Sequence, residues 1–260
     1  MTSTPEEDHI KQYLGMQNER YEWRASTAVM TKEGVLPQTD GVVGSYIAQE
    51  KFPYDDNILK HFKGDTQEAS ILEYGCGPGR NLLRLAPRFK KVAGVDISDK
   101  NIRNSSILLH NLNGYKHVDL YTTPGDSIPV KDNVFDVIFE VICMQHICSY
   151  TIRKRILTDM ARVCAPGGMV VCQFGFNFDL PTKPGPHFRP GAYLYVDYYA
   201  DQLLGVKETN GASDCCVTDD NQLIKDFEDI GLTVEEVWHT DYVMDENHDN
   251  WVWICGRKPL

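Results

Sequence analysis

Three glycines, Gly75, Gly77 and Gly79, occupy alternate positions of the stretch ILEYGCGPGRNLL, which lies between two apolar runs. An apolar run that ends in a glycine-rich turn and leads into a helical pattern is typical of a strand–loop–helix unit. Glycine has no Cβ atom and tolerates positive φ, so a ligand can approach such a turn closely. Tight turns without any ligand show the same pattern, and the glycines alone do not choose between ligands.

From residue 69 onwards, short apolar runs alternate with longer helical patterns, which predicts repeated β-α units and a mostly parallel sheet. The first five predicted strands are SILEYG, KVAGVDI, HVDLYTT, FDVIFEVI and GMVVCQFGF. Helices are predicted near residues 79–88, 99–113 and 151–164. A further helix, NQLIKDFEDIG, with Thr218 as its expected N-cap, precedes two final strands, TVEEVWHTDY and WVWICGR.

The chain has 260 residues, of which 42% are hydrophobic, and this suits one sizeable core with a modest appendage. Residues 1–62 are predicted to form an N-terminal helical cap, and residues 63–260 the main domain. Segment 177–216 interrupts the β-α pattern with four prolines and the aromatic stretch YLYVDYYADQL. It is interpreted as an insertion, or lid, before the sixth strand.

The formal net charge of -11 at pH 7 disfavours a long nucleic acid or an anionic membrane as partner, and a small molecule is expected instead. No apolar run reaches the roughly 18 to 20 residues of a spanning helix. The eight cysteines include no C-x-x-C pair, and the N-terminus does not resemble a signal peptide. A cytoplasmic protein with reduced thiols is therefore expected. The acidic run DENHDNW is interpreted as an exposed turn, and no metal is expected.

The residues around the glycines favour one cofactor class over another. Dinucleotides are held by G-x-G-x-x-G, whereas S-adenosylmethionine is usually held by E/D-x-G-x-G-x-G. Glu73 completes the second pattern, and Arg80 stands where the first needs Gly or Ala. The carboxylate of Glu73 would repel a pyrophosphate and attract an ammonium group. Asp96, which ends the second strand, suits the ribose hydroxyls of either cofactor.

Four motifs resemble the class I S-adenosylmethionine-dependent methyltransferases, specifically the broad group of small-molecule methyltransferase domains. They are ILEYGCGPGRNLLRLA, VAGVDIS, PGDSIPVKDNVFDVIFEVICMQHI and LTDMARVCAPGGMVVCQF, within about residues 69–176. The resemblance implies a Rossmann-like α/β fold: a seven-stranded, mostly parallel sheet with helices on both faces and an antiparallel last strand. It also implies S-adenosylmethionine as cofactor and methyl transfer as reaction.

The cofactor-binding residues that this resemblance implies all lie in or just after the first four strands of the sheet. They are Glu73, Gly75, Gly77 and Gly79 for the methionine part, Asp96 for the ribose, Ile97, Asn101, Asp126 and Ser127 for the adenine, and Glu140 at the border of the methionine part.

The expected acceptor is the oxygen or nitrogen of a small metabolite, such as a sugar or another polar, ring-bearing molecule. A hydroxyl acceptor must lose a proton, and a histidine beside the site is the natural general base. His146, just past the fourth strand, is the candidate, with a packing role as the alternative. The substrate-binding candidates lie in the cap and the insertion: Arg24, His187, Arg189, Tyr193 and Tyr195.

Three other functions stay open. A protein that binds the cofactor without catalysis would use it to stabilise an interface with a partner. An NAD-dependent oxidoreductase is disfavoured by Glu73 and Arg80. Methylation of nucleic acid is disfavoured by the charge and by EVIC in place of the D/N/S-P-P-Y/F/W pattern. A homodimer through the lid or the N-terminal cap is a further expectation.

Overall fold

The computed structural model describes residues 3–25, 29–31, 34–36, 39–40, 44–45, 54–147, 149–179, 194–197, 213–241 and 248–260. The helices are α1 Pro5–Ala25, α2 Tyr54–Ile58, α3 Arg80–Leu85, α4 Asp99–Ser106, α5 Tyr150–Val163 and α6 Asp220–Asp229. The π-helical segment Ile107–Leu112 continues α4, and a 3₁₀ turn covers Met144–His146.

The strands follow in chain order: β1 Val29–Thr31, β2 Gly34–Leu36, β3 Thr39–Asp40, β4 Gly44–Ser45, β5 Ser70–Tyr74, β6 Lys91–Asp96, β7 Val118–Thr122, β8 Phe135–Glu140, β9 Cys164–Phe176, β10 Leu194–Asp197, β11 Ser213–Cys216, β12 Thr233–Asp241 and β13 Asn250–Arg257.

Seven strands form one sheet in the order β12-β13-β9-β8-β5-β6-β7. Strands β5 to β9 run parallel to one another, and β13 pairs antiparallel with both β9 and β12. The last strand is therefore the reversed one. The predicted Rossmann-like, seven-stranded, mostly parallel sheet is confirmed, and each predicted strand occurs.

Both faces of the sheet are buried, as the continuous apolar runs of its central strands indicate. Neighbouring residues of a strand point to opposite faces. Leu72 of β5 accordingly lies in one core with Ile156 of α5, and Ile71 lies in a second core with Leu82 of α3. Because the helices cover both faces, only the ends of the strands can hold a ligand, and the carboxyl ends of parallel strands meet at one edge.

Helix α6 begins one residue later than the sequence suggests. The side chain of Asp219 accepts a hydrogen bond from the backbone N–H of Asn221, so Asp219 is the N-cap. The expectation of Thr218 as the N-cap was wrong, because the carboxylate that directly precedes Asp220 reaches this orphan N–H.

The N-terminal region is more mixed than the expected set of short helices. Pairs β1–β2 and β3–β4 are antiparallel, and α1 and α2 flank them along the chain. In segment 177–216, β10 and β11 run parallel. The division into a cap of residues 1–62 and a domain of residues 63–260 stays a prediction. Among the described residues, no helix has both the length and the apolar character needed to cross a membrane.

Candidate functional site

The three glycines form a tight loop at the carboxyl end of β5. All three have positive φ: 72° at Gly75, 53° at Gly77 and 91° at Gly79. A Cβ atom on Gly75 would lie 2.2 Å from the Sγ atom of Cys143, and one on Gly79 would lie 2.7 Å from the Oγ atom of Ser105. The loop therefore needs glycine for its conformation and for its close contact with the segments after β8 and in α4.

The end of β6 holds the glycine loop in place. The backbone N–H groups of Gly75 and Cys76 both donate to the carbonyl of Val95, at 2.7 and 3.0 Å. The N–H of Gly77 donates to Oδ2 of Asp96 at 2.9 Å. The ends of the adjacent strands β5 and β6 thus share one hydrogen-bond network.

Asp96 is buried, and its two carboxylate oxygens are used unequally. Oδ1 accepts from the N–H of Ser98 at 2.8 Å and from Nδ2 of Asn101 at 3.0 Å, whereas Oδ2 has one donor among the described residues, the N–H of Gly77. A carboxylate oxygen can accept two hydrogen bonds, so Oδ2 can still accept one from a ribose hydroxyl. Burial raises the pKa of Asp96, against these three donors. Asn101, expected beside the adenine, orients Asp96, and its own Oδ1 is buried with no donor from the residues described.

Glu73 is a buried carboxylate with one unsatisfied oxygen. Nδ2 of Asn81 donates to its Oε1 at 2.5 Å, and its Oε2 is buried without a hydrogen-bond partner among the described residues. Burial raises the pKa of Glu73 to about 7, although the Asn81 amide, Arg80 and Arg84 favour the charged form. A buried acceptor without a donor is costly, and an ammonium group would supply one. Sequence reasoning missed Asn81. The feature that could have indicated it is an amide side chain in the first turn of α3.

Glu140 holds the segment that follows β8. Its Oε2 accepts from the N–H groups of Cys143 and Met144, both at 3.2 Å, and its Oε1 accepts from the N–H of Gln173 at 2.9 Å. Burial raises its pKa to about 8, against these three donors. Within this segment Ile142 has a φ of 53°, which is strained for a β-branched residue. The geometry favours a positioning role for Glu140 over direct contact with a cofactor.

We expect Glu140→Gln to destabilise the protein by about 2 kcal/mol, because an amide has one acceptor oxygen and leaves at least one of the three N–H groups unpaired. Urea unfolding at neutral pH measures the change. Glu228→Gln is the matched control, since Glu228 is exposed, and it should change stability by less than about 0.5 kcal/mol. Equal stability of the two variants would contradict the positioning role.

The predicted adenine end lies after β6 and β7. The hydroxyl of Tyr74 donates to the carbonyl of Gly125 at 3.2 Å, and the Thr123 hydroxyl donates to the carbonyl of Ser127. The carboxylate of Asp126 is partly exposed and lies 3.4 Å from Arg155. The backbone at this predicted adenine end is thus fixed by Thr123 and Tyr74, neither of which the sequence analysis found.

His146 ends the 3₁₀ turn after β8 and is half-buried. Its backbone N–H donates to the carbonyl of Cys143 at 3.1 Å, and Cys143 contacts Gly75. On the other side, Sγ of Cys215 in β11 donates to the carbonyl of Gln145 at 3.1 Å. The turn that carries His146 therefore lies between the glycine loop and the insertion.

The predicted substrate residues fall mostly beyond the described side chains. His187, Arg189 and Tyr193 lie outside the described residues. Tyr195 pairs with Asp214 in the β10–β11 ladder, and Arg24 belongs to α1, but their side chains lie outside the description. In the portion of the chain that the structure describes, no group of three or more His, Cys, Asp or Glu side chains is arranged to hold a metal ion.

The comparisons with known proteins agree with this geometry. Residues 71–168 match the family described as "Methyltransferase domain". A demethylmenaquinone methyltransferase of Bacillus pumilus (strain SAFR-032) is 29% identical over 133 residues, which are 50% of this chain and 53% of that protein. A ubiquinone biosynthesis O-methyltransferase of Maricaulis maris (strain MCS10) is 29% identical over 122 residues, 45% and 46% of the two chains.

The chain spans about half the length of the curated relatives it matches. Among solved structures, a SAM-dependent methyltransferase from Methanosarcina mazei has a TM-score of 0.57 and 20% identity, over 80% of this chain and 98% of that one. This likeness shows the fold. Residues 71–168 are therefore similar to a methyltransferase domain, and the chain has the fold of a SAM-dependent methyltransferase of known structure.

Proposed function

We propose that the chain transfers a methyl group from S-adenosylmethionine to an oxygen of a small, ring-bearing acceptor. The observation that carries this proposal is the glycine loop beside Glu73, whose buried Oε2 has no hydrogen-bond donor in the described part of the chain. An amino-acid ammonium would satisfy that oxygen, and a pyrophosphate would not. The matched methyltransferase segment, residues 71–168, contains this loop.

The residues present fit such a cofactor. Glu73 would receive the ammonium, Oδ2 of Asp96 would accept a ribose hydroxyl, and the unpaired Oδ1 of Asn101 would accept a further donor at the nucleoside end. The positive-φ glycines leave backbone close enough for contact with the methionine part. The site residues remain a proposal, supported by these unsatisfied acceptors.

The cofactor supplies an activated methyl group on a sulfonium, so the protein must mainly position the acceptor in line with it. The turn Met144–His146 does this positioning, since Glu140 ties its start to β9 and Cys215 contacts its carbonyl side. His146 would accept the proton of a hydroxyl acceptor through its imidazole. Strand β11, which contacts this turn through Cys215, would border the acceptor.

The nature of the acceptor is supported by two lines of reasoning. A histidine base beside the site suits a hydroxyl, whose proton must leave during transfer. The two relatives act, by their names, on demethylmenaquinone and on an oxygen in ubiquinone biosynthesis. We therefore favour a quinone-like phenol over a sugar or an amine.

Purified protein with methyl-labelled S-adenosylmethionine tests this function against a panel of quinone-like phenols, sugars, amines and thiols. We expect label on a phenolic oxygen and stoichiometric S-adenosylhomocysteine. Label on a thiol or an amine would overturn the choice of oxygen. Tight cofactor binding without transfer to any member would instead favour the non-catalytic, partner-binding role.

We expect His146→Ala to lower turnover of the phenolic acceptor by about 10² to 10⁴-fold, the usual contribution of a general base. Affinity for the cofactor should stay unchanged. His117→Ala is the control, because His117 is exposed, and among the described residues its imidazole hydrogen-bonds to the carbonyl of Ala86 and contacts the ring of Tyr115. Turnover within about twofold of wild type would exclude His146 as the base.

A further inference from the structure

The nucleoside end of the predicted cofactor site is covered. Asp96, Ser98, Asn101 and Thr123 lie at the carboxyl ends of β6 and β7, where a parallel sheet receives its ligand. Their exposed fractions are only 7%, 0%, 1% and 4%. Another element must therefore lie over this edge.

Helix α1 covers this edge. A Cβ atom placed on Gly125 would lie 2.8 Å from Cγ2 of Ile10 and 3.0 Å from Cδ1 of Ile97, so the three residues are in close contact. Two turns further along α1, Oγ of Ser98 donates to Oδ1 of Asn18 at 2.7 Å. The helix thus touches the loops after both β6 and β7, which are the loops predicted to hold the ribose and adenine.

The inner side of α1 is well defined. His9 and Tyr13 are 4% and 7% exposed and stand four residues apart, so they lie on one face of the helix. Tyr13 belongs to the core beneath α5, and Ile10 packs against that core. Lys11, by contrast, is exposed. The helix thus turns His9, Ile10 and Tyr13 towards the domain and Lys11 outward.

The start of α1 is fixed independently of this contact. The N–H of Glu7 donates to Oγ1 of Thr4 at 3.2 Å, and the N–H of Thr4 donates to Oε2 of Glu7 at 3.0 Å. This reciprocal pair is a capping box, and Pro5 occupies the first helical position. The helix can therefore move away from the site as a formed element.

We propose that Ile10 and Tyr13 form the outer wall of the nucleoside pocket, and that α1 must move aside for the cofactor to enter or leave. This inference rests on the proposed function, since it names further residues of the same site. A second observation supports it: Oδ1 of Asn101 is buried at this end, and none of the residues that the structure describes donates to it. A nucleoside held beneath α1 can supply that donor from its amino or hydroxyl groups.

The alternative is that α1 merely packs on the domain. Under that alternative, cofactor exchange would be independent of the helix. Under the proposal, the side chains that face the nucleoside contribute to the dwell time of the cofactor, and closure of α1 over the bound ligand protects the amides of the helix.

Stopped-flow fluorescence of S-adenosylhomocysteine release from Ile10→Ala tests the proposal, with Lys11→Ala as the control on the outward face. We expect Ile10→Ala to speed release about tenfold, which corresponds to about 1.4 kcal/mol, and Lys11→Ala to leave it unchanged. S-adenosylmethionine should show the same ratio, because it shares the nucleoside. Hydrogen exchange of wild type provides a second measurement that does not depend on folding of a variant. Saturating S-adenosylhomocysteine should slow exchange of the α1 amides between residues 9 and 18.

These outcomes separate the two proposals. Failure of the wild type to bind S-adenosylmethionine or S-adenosylhomocysteine would overturn the proposed function itself. If the wild type binds the cofactor, both variants release it at equal rates and the α1 amides gain no protection, then α1 does not form the wall of the nucleoside pocket. The proposed function would be unaffected by that result. Faster release from Ile10→Ala together with protection of α1 supports the wall.

Discussion

Gly75→Ala is expected to abolish measurable cofactor binding and to destabilise the domain by about 2 to 4 kcal/mol. The new methyl group would lie 2.2 Å from Sγ and 2.6 Å from Cβ of Cys143, at a φ of 72°. Either the glycine loop or the segment after β8 must then shift. Since both border the proposed methionine site, the shift removes the site as well as stability. Urea unfolding and calorimetric titration with S-adenosylmethionine measure the two effects.

Gly114→Ala is a matched control for the backbone strain. Gly114 has the same φ of 72°, but a Cβ atom there would meet nothing within 4 Å. Gly114→Ala should lower the free energy of unfolding by about 1 to 2 kcal/mol and leave cofactor binding intact. The double variant Gly75→Ala/Cys143→Gly should recover part of the lost stability, because it removes both clashing atoms. If Gly75→Ala and Gly114→Ala had equal effects on stability and on cofactor binding, the close contact between Gly75 and Cys143 would be refuted.

The affinity for S-adenosylmethionine is expected to rise with pH through about 7, the pKa to which burial raises Glu73. Below this pH the carboxyl is protonated and cannot pair with the ammonium. The rise should approach tenfold per pH unit and end near pH 8, where the ammonium of the ligand itself begins to lose its proton. Calorimetric titrations between about pH 6 and about pH 8 measure it.

Glu73→Gln separates this carboxyl from Asp96 and Glu140, whose pKa values burial also raises. The variant should bind about tenfold or more weakly at about pH 8, with little change of affinity towards pH 6. A pH dependence like that of wild type would assign the titration to another group. Binding as tight as wild type at about pH 8 would remove Glu73 from the site.

Without the cofactor, the raised pKa of Glu73 makes the stability of the folded protein fall as the pH rises. A carboxyl whose pKa is higher in the folded state stabilises that state fully below its ordinary value of 4.5. This contribution is lost as the pH rises through about 7. The difference between the ordinary and the folded-state pKa of Glu73 corresponds to about 3 kcal/mol of folding free energy. The cofactor should restore stability in the pH range where Glu73 is ionised, because its ammonium pairs with the charge.

The strands of the central sheet could be predicted from the sequence because each strand is indicated by the residues within it. Strands such as SILEY and FDVIFE are mostly apolar and almost entirely buried, as expected for strands that are covered on both faces. The glycine loop is equally local, since positive φ selects glycine. Asp96 could be placed at the edge of the sheet because it ends a strand, and the structure shows it bonded to Gly77.

Other contacts depend on distant parts of the chain, which one sequence does not display. Nothing in the spacing of Glu140 shows that the N–H of Gln173 donates to it from β9. The pairing of Asn18 with Ser98 joins residues 80 positions apart. The N-cap of α6 was misplaced because Thr218 and Asp219 are both good capping residues, and only the backbone geometry distinguishes them.

The central claim is that the glycine loop and Glu73 hold an amino-acid cofactor without a pyrophosphate. Calorimetric titration of the wild-type protein near pH 8 with S-adenosylmethionine, and separately with NAD, tests it most directly. The account predicts saturable binding of S-adenosylmethionine at one site per chain and no heat of binding with NAD. Saturable binding of NAD without binding of S-adenosylmethionine would contradict it.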